Sequence, residues 1–164
     1  MKLSAKMQEA LNKQINAEIY SAYLYLSMAT QFRCDNWKGM ARWMELQAKE
    51  EWSHAMKLYK YIDDRMGRIT LDAVAKPPAK WASPLAAFEA ALAHEQKVTA
   101  MFDNLVALAQ KEKDNATLNM LQWFVDEQVE EEGQTDDIVQ KLKLIGSQMQ
   151  GMFMLDSILG KRED

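Results

Sequence analysis

The chain has 164 residues, 48% of them hydrophobic, with 20 Lys+Arg against 24 Asp+Glu and a formal net charge of -4. That length suits one domain with one buried core, and the charge balance lacks the basic footprint that neutralises a phosphate backbone, so no nucleic-acid partner is expected. A single cysteine, Cys34, closes no intramolecular disulfide and builds no Cys-rich metal centre; with no apolar run of bilayer length and no apolar leader, the expectation is a cytoplasmic protein without a membrane partner.

Three prolines, six glycines and twelve methionines among abundant Ala, Leu, Lys, Glu and Gln favour long helices over sheet, which predicts an all-α fold. The first helix is expected over about 4–33, with Ser4 as its N-cap. Cys34-Asp35-Asn36 then turns the chain into a second helix over 37–66, completing a hairpin. Residues 67–83 lose the helical period and hold Pro77 and Pro78, so they predict a long connection. Ser83 followed by Pro84 is a strong helix start. It opens a third helix over 84–113, and Asp114-Asn115 turns the chain into a fourth over 116–145, closed by Gly146. A short amphipathic fifth helix is expected over 148–159. Each long helix spans roughly 45 Å, and a seventeen-residue link can reach roughly 55 Å. The link is therefore long enough to travel the length of a bundle. The expected architecture is a four-helix bundle with one long crossover between helices two and three plus the short fifth helix, all one domain over 1–164. An up-down bundle with 67–83 as a loose lid is the competing arrangement.

The apolar stripes carry the functional information. On the first helix the stripe reads Leu11, Ile15, Glu18, Ala22, Tyr25, Ala29; on the second, Met44, Gln47, Glu51, His54, Leu58, Ile62. The third reads Leu85, Phe88, Leu92, Glu95, Thr99, Phe102, and the fourth Leu121, Val125, Gln128, Glu131, Thr135, Ile138. Each helix places at least one carboxylate where a leucine is expected. Counting from the turns puts Glu18, Glu51, Glu95 and Glu131 near one level at mid-bundle. Glu51-x-x-His54 alone is a common pattern, whereas four in-register acids on four seams are not. Unpaired buried carboxylates cost several kcal/mol each and repel one another. With no Lys or Arg on the central stripes, a metal ion is the natural counter-charge, and oxygen ligands with one imidazole suit iron or manganese and also accept zinc.

The segments LNKQINAEIYSAYLYLSMA, WMELQAKEEWSHAMKLYKYI, AFEAALAHEQKVT and LQWFVDEQVEEE, together reaching across nearly the whole chain, resemble the bacterial non-haem ferritins. The resemblance implies a ferritin-like fold and intracellular iron storage and detoxification in a homo-oligomeric shell of 24 subunits. It also implies a ferroxidase centre in each bundle, which oxidises Fe(II) with O2 or H2O2 and passes Fe(III) to a mineral. Carried over, Glu18, Glu51 and His54 hold the first iron with Glu51 bridging, and Glu95, Glu51 and Glu131 hold the second. Gln128 and Tyr25 are polar partners beside them. A third iron position matches Glu50, Glu127 and Glu130, with Glu131 available to both positions.

Departures from the family patterns are equally specific. The fourth helix offers Gln128-x-x-Glu131 in place of a second Glu-x-x-His, implying a weaker second position. Trp52 stands where haem-carrying bacterioferritins resembling this fold place a methionine, so no haem is expected. Leu118 and Leu121 stand where animal ferritins carry channel acids. His94 is expected at the surface or an interface, Cys34 as a bystander thiol, and Trp123 and Phe124 as packing. Ile19, Tyr23 and Met28 lie off the first helix's seam and predict a covering neighbour. Two other readings remain at this level: a di-metal oxidase or peroxidase without storage, and a non-enzymatic bundle whose inward acids share protons.

Overall fold

The structure is a computed structural model and describes residues 2–163. Among the described residues the chain forms five helices and no strand: α1 Ala5–Cys34, α2 Lys38–Asp64, α3 Pro84–Glu112, α4 Asn115–Ile145 and α5 Met149–Leu159. Local chemistry sets most of the ends. Ser4 Oγ accepts the Met7 N–H at 3.0 Å and Ser83 Oγ accepts the Ala86 N–H at 3.1 Å, each satisfying an otherwise unpaired helix donor. Asp114 caps α4 through the Thr117 N–H at 3.1 Å and is itself held by Arg65 of the α2 C-cap at 2.9 Å. Gly146, at φ 56°, ends α4. The start of α2 is different, because Trp37 provides no side-chain cap. There Asp156 of α5 accepts the Met40 N–H at 2.9 Å.

The long connection is a belt pinned along α1. Asn12 Nδ2 donates to the Arg68 carbonyl at 3.0 Å and Asn16 Nδ2 to the Ala73 carbonyl at 3.1 Å. Ser27 Oγ donates to the Pro78 carbonyl at 2.6 Å and Gln31 Nε2 to the Trp81 carbonyl at 2.8 Å. Residue numbers rise together on both sides, so the belt runs parallel to α1 over about 28 Å of helix. It delivers α3 to the end of the bundle where α2 began. The structure thus has the single long crossover, and the loose-lid arrangement is set aside.

Two apolar cores lie at opposite ends of the bundle. One gathers Tyr25, Phe32, Trp43, Phe88, Ile138 and Leu155; the other gathers Met7, Leu11, Leu58, Phe102, Leu121 and Phe124. Between them sits a buried polar layer containing Glu18, Gln47, Glu51, His54, Glu95, Gln128 and Glu131.

Two expectations change. Met28 is fully buried in the first core, while Tyr23 is about half exposed and Ile19 is partly buried. Off-seam Met28 is covered within its own chain, in the core it shares with Phe32, Met40 and Met44. His94 is partly buried: its Nε2 lies 2.7 Å from Ser21 Oγ and its ring packs on Tyr20 at 5.7 Å. A position 100° from the seam therefore points at α1 and not outward.

Candidate metal centre

The polar layer is built from helical spacing. Glu51 and His54 lie one turn apart on α2, and Gln128 and Glu131 lie one turn apart on α4, so each pair shares a face. Glu18 comes from α1 and Glu95 from α3. Single ligand atoms of Glu18, Glu51 and His54 fall within 4.8 Å of one another, and so do those of His54, Glu127 and Glu131. His54 stands between the two sets. Its Nδ1 is 3.5 Å from Glu51 Oε2 and 3.9 Å from Glu18 Oε2, while its Nε2 is 3.9 Å from Glu127 Oε1.

Neighbouring amides and a phenol orient the carboxylates. Gln14 Nε2 donates to Glu18 Oε1 at 2.6 Å, and Gln47 Nε2 donates to Glu131 Oε2 at 2.6 Å. Tyr25 donates its hydroxyl to Glu95 Oε1, and Gln128 Nε2 reaches Glu95 Oε2 at 3.2 Å and Thr99 Oγ1 at 3.3 Å. After these contacts, Glu18 Oε2, Glu51 Oε1 and His54 Nδ1 have no hydrogen-bond partner. Thr135 Oγ1 is the other buried side-chain polar atom in that condition among the described residues. Buried polar atoms are normally satisfied. Three orphaned acceptor or ligand atoms in one cluster fit a cation.

Electrostatics agree with that geometry. Burial, followed by the Glu51 charge, pushes the Glu18 carboxyl well above its ordinary value. Burial and then Glu95 do the same to Glu51. Burial also raises Glu95, opposed by the hydrogen bonds from Tyr25 and Gln128. Glu131 is pushed up to about 8 by burial and by Glu95. Tyr25, enclosed and facing Glu95 and Glu51, is held well above the usual phenol range. Without a cation, burial and mutual repulsion favour the protonated form of these carboxyls.

Aromatic rings wall the site toward the second core. The His54 ring meets Trp123 edge-on at 5.5 Å and Phe124 at 6.0 Å, and Lys57 Nζ sits 3.4 Å over the Trp123 ring. Leu121 is buried in the apolar core and Leu118 packs against it.

The acids assigned to a third position are less tightly grouped. Glu127 approaches His54, whereas Glu130 is exposed and accepts Gln134 Nε2 at 2.7 Å. Glu50 Oε2 is engaged by Arg162 at 2.5 Å. Sequence reasoning gave Gln14 and Gln47 no role. Both carried a signal: Gln47 interrupts the α2 stripe one turn before Glu51, and Gln14 precedes Glu18 by four residues, the spacing of helical side-chain pairs.

Comparison with known proteins gives a consistent result. Residues 8–145 match the ferritin-like domain family. The bacterial non-haem ferritin of Bacteroides fragilis is 43% identical over 160 residues, covering 98% of this chain and 99% of its own length. That of Staphylococcus aureus is 39% identical over 160 residues, covering 98% and 96%. The solved open-pore ferritin of the archaeon Archaeoglobus fulgidus aligns with a TM-score of 0.98 at 53% identity, over 99% of this chain and all of that one. This chain belongs to the ferritin family, as a relative of the bacterial non-haem ferritins.

Proposed function

We propose that this chain oxidises Fe(II) at the polar layer and stores the Fe(III) product as mineral inside a cytoplasmic shell of identical subunits. The observation that carries the reading is the cluster of orphaned ligand atoms on Glu18, Glu51 and His54, buried between two apolar cores. These three residues bind the first Fe(II). Glu95, Glu131 and the shared Glu51 bind the second, with Gln128 and Tyr25 holding Glu95 in place. Glu127, with Glu50 and Glu130 farther out, offers a third position of lower affinity.

Iron here is substrate, and its two ions supply one electron each to O2 or H2O2. Hard carboxylate oxygens favour the ferric product, which lowers the barrier to oxidation. The protein sets spacing and charge. Protons displaced from the raised carboxyls leave as Fe(II) binds. Because the second position offers Gln128 where an imidazole would bind more firmly, product leaves from that side.

Rapid mixing of Fe(II) and O2 with a Glu51→Ala variant tests the assignment. The variant should retain its helical circular dichroism while rapid oxidation disappears; wild-type rates would refute it. The 24-subunit shell, and storage with it, is tested by native mass spectrometry and by size-exclusion chromatography after iron loading. A large species that carries iron supports storage, whereas a small oxidase that leaves ferric iron in solution would point to a di-metal oxidase.

A further inference from the structure

Beyond α5, Arg162 returns to the edge of the buried polar layer. Gly39 admits the α5 backbone so closely that a Cβ there would stand 1.7 Å from the Asp156 carbonyl oxygen. With the Asp156 cap on Met40, this contact fixes where α5 ends and sends the following residues along α2. Arg42 Nε donates to the Arg162 carbonyl at 3.2 Å. The Arg162 guanidinium carbon lies 5.1 Å from the Trp43 ring centroid, and its side chain is 19% exposed. Nη2 donates to Glu50 Oε2 at 2.5 Å, and Nη1 donates to Gln47 Oε1. Gln47 then donates to Glu131 at 2.6 Å. One guanidinium therefore holds an acid of the outer position directly and reaches an acid of the inner layer through a single amide.

A guanidinium cannot shed its charge at any relevant pH. Its hydrogen bond to Glu50, whose side chain is 43% exposed, is charge-assisted, and the guanidinium itself lies over an indole, so the contact is stronger than a fully solvated ion pair. A divalent ion on Glu50 would face this fixed positive charge at short range. We propose that Arg162 is a tethered cation that competes with a metal ion for Glu50, so that the outer position fills when the C-terminal segment is displaced. This inference rests on the metal reading of the polar layer. It makes Arg162 a positioning residue that weakens one metal position while leaving the Glu18–Glu51–His54 cluster untouched.

The test is anaerobic calorimetric titration of Zn(II) into the assembled full chain, comparing wild type with Arg162→Met, Arg162→Lys and Glu50→Gln. Arg162→Met should tighten the weakest binding step about tenfold, since the competing occupied state is removed, and leave the tightest step unchanged. Arg162→Lys should return the weak step toward wild type. In the Glu50→Gln background, Arg162→Met should have no effect. A weak step that is unchanged or loosened in Arg162→Met overturns the proposal, as does an equal gain when Glu50 is already replaced. Hydrogen exchange on the wild-type chain gives a measurement independent of any variant: saturating Zn(II) should raise deuterium uptake after Leu159, and unchanged uptake overturns the competition. Absence of Zn(II) binding at every step would overturn the metal reading itself, an outcome distinct from loss of the Arg162 effect alone.

Discussion

The two halves of the polar layer are buried side by side between the apolar cores but are prepared differently. On the α1–α2 side, Glu18, Glu51 and His54 are buried with three ligand atoms unsatisfied. On the α3–α4 side, Glu95 is bonded to Tyr25 and Gln128, and Glu131 is bonded to Gln47. The first half meets an incoming cation with unused lone pairs. The second must give up or share existing hydrogen bonds before it can do so. If the layer binds two ions as proposed, this difference in local satisfaction predicts unequal affinity at the two positions, in addition to the change from imidazole to amide at Gln128.

The most severe challenge to this contrast is removal of the imidazole. His54→Ala should lower the affinity of the tightest Zn(II) step by more than about 100-fold, beyond the usual 10- to 100-fold cost of losing an outer partner. Gln128→Leu should weaken the second step by about tenfold. Equal losses, measured by competitive chelator titration, would break the asymmetry.

The next largest effect is on pH dependence. Glu131 has its carboxyl raised from 4.5 to about 8 in the folded chain, so the folded state binds its proton more tightly than the unfolded chain. The resulting stabilisation is complete below pH 4.5 and is lost as pH rises toward 8. Glu18, Glu51 and Glu95 shift in the same direction. The metal-free protein should therefore melt at progressively lower temperature across that window, and saturating Zn(II) should flatten the slope. A melting temperature insensitive to pH without metal would show that the layer is not protonated. A pH slope that metal leaves unchanged would favour proton sharing over metal binding.

Smaller effects sharpen the assignment. Gln14→Leu should weaken the first metal step and Gln47→Leu the second, each about tenfold, because each amide orients a different carboxylate. Crossed effects in the same titration would mean that the halves act as one unit. Tyr25→Phe should cost about 1 kcal/mol of stability in chemical denaturation, the ordinary worth of one hydrogen bond. Losing that donor should also raise the Glu95 carboxyl further, so the second metal step should fall most steeply toward acid pH.

Much of the fold was legible because its punctuation is local. Ser4, Ser83 with Pro84, and Gly146 act within one turn of where they stand, and the length of the segment after α2 required a crossing. Stripe interruptions likewise picked out the acids of the buried polar layer, since a carboxylate on a core face has few physical explanations. What remained hidden depends on contacts between distant segments. The α2 cap comes from Asp156, 116 residues beyond Met40, so no signal near Trp37 announces it. Met28, off the first helix's seam, is covered inside the chain by a core that α2 helps to build, and His94, expected at the surface or an interface, meets Ser21 of α1. Arg162 follows the last helix, where neither stripe nor period assigns a direction.

The belt between α2 and α3 is the covalent join of two helical hairpins, one bearing Glu18, Glu51 and His54 and the other Glu95, Gln128 and Glu131. Severing the chain there would leave neither fragment with the full ligand set. Reconstitution of the severed pair could then be followed by recovered metal affinity, and the same cut would turn a subunit into a two-component switch whose assembly responds to the ion it gathers.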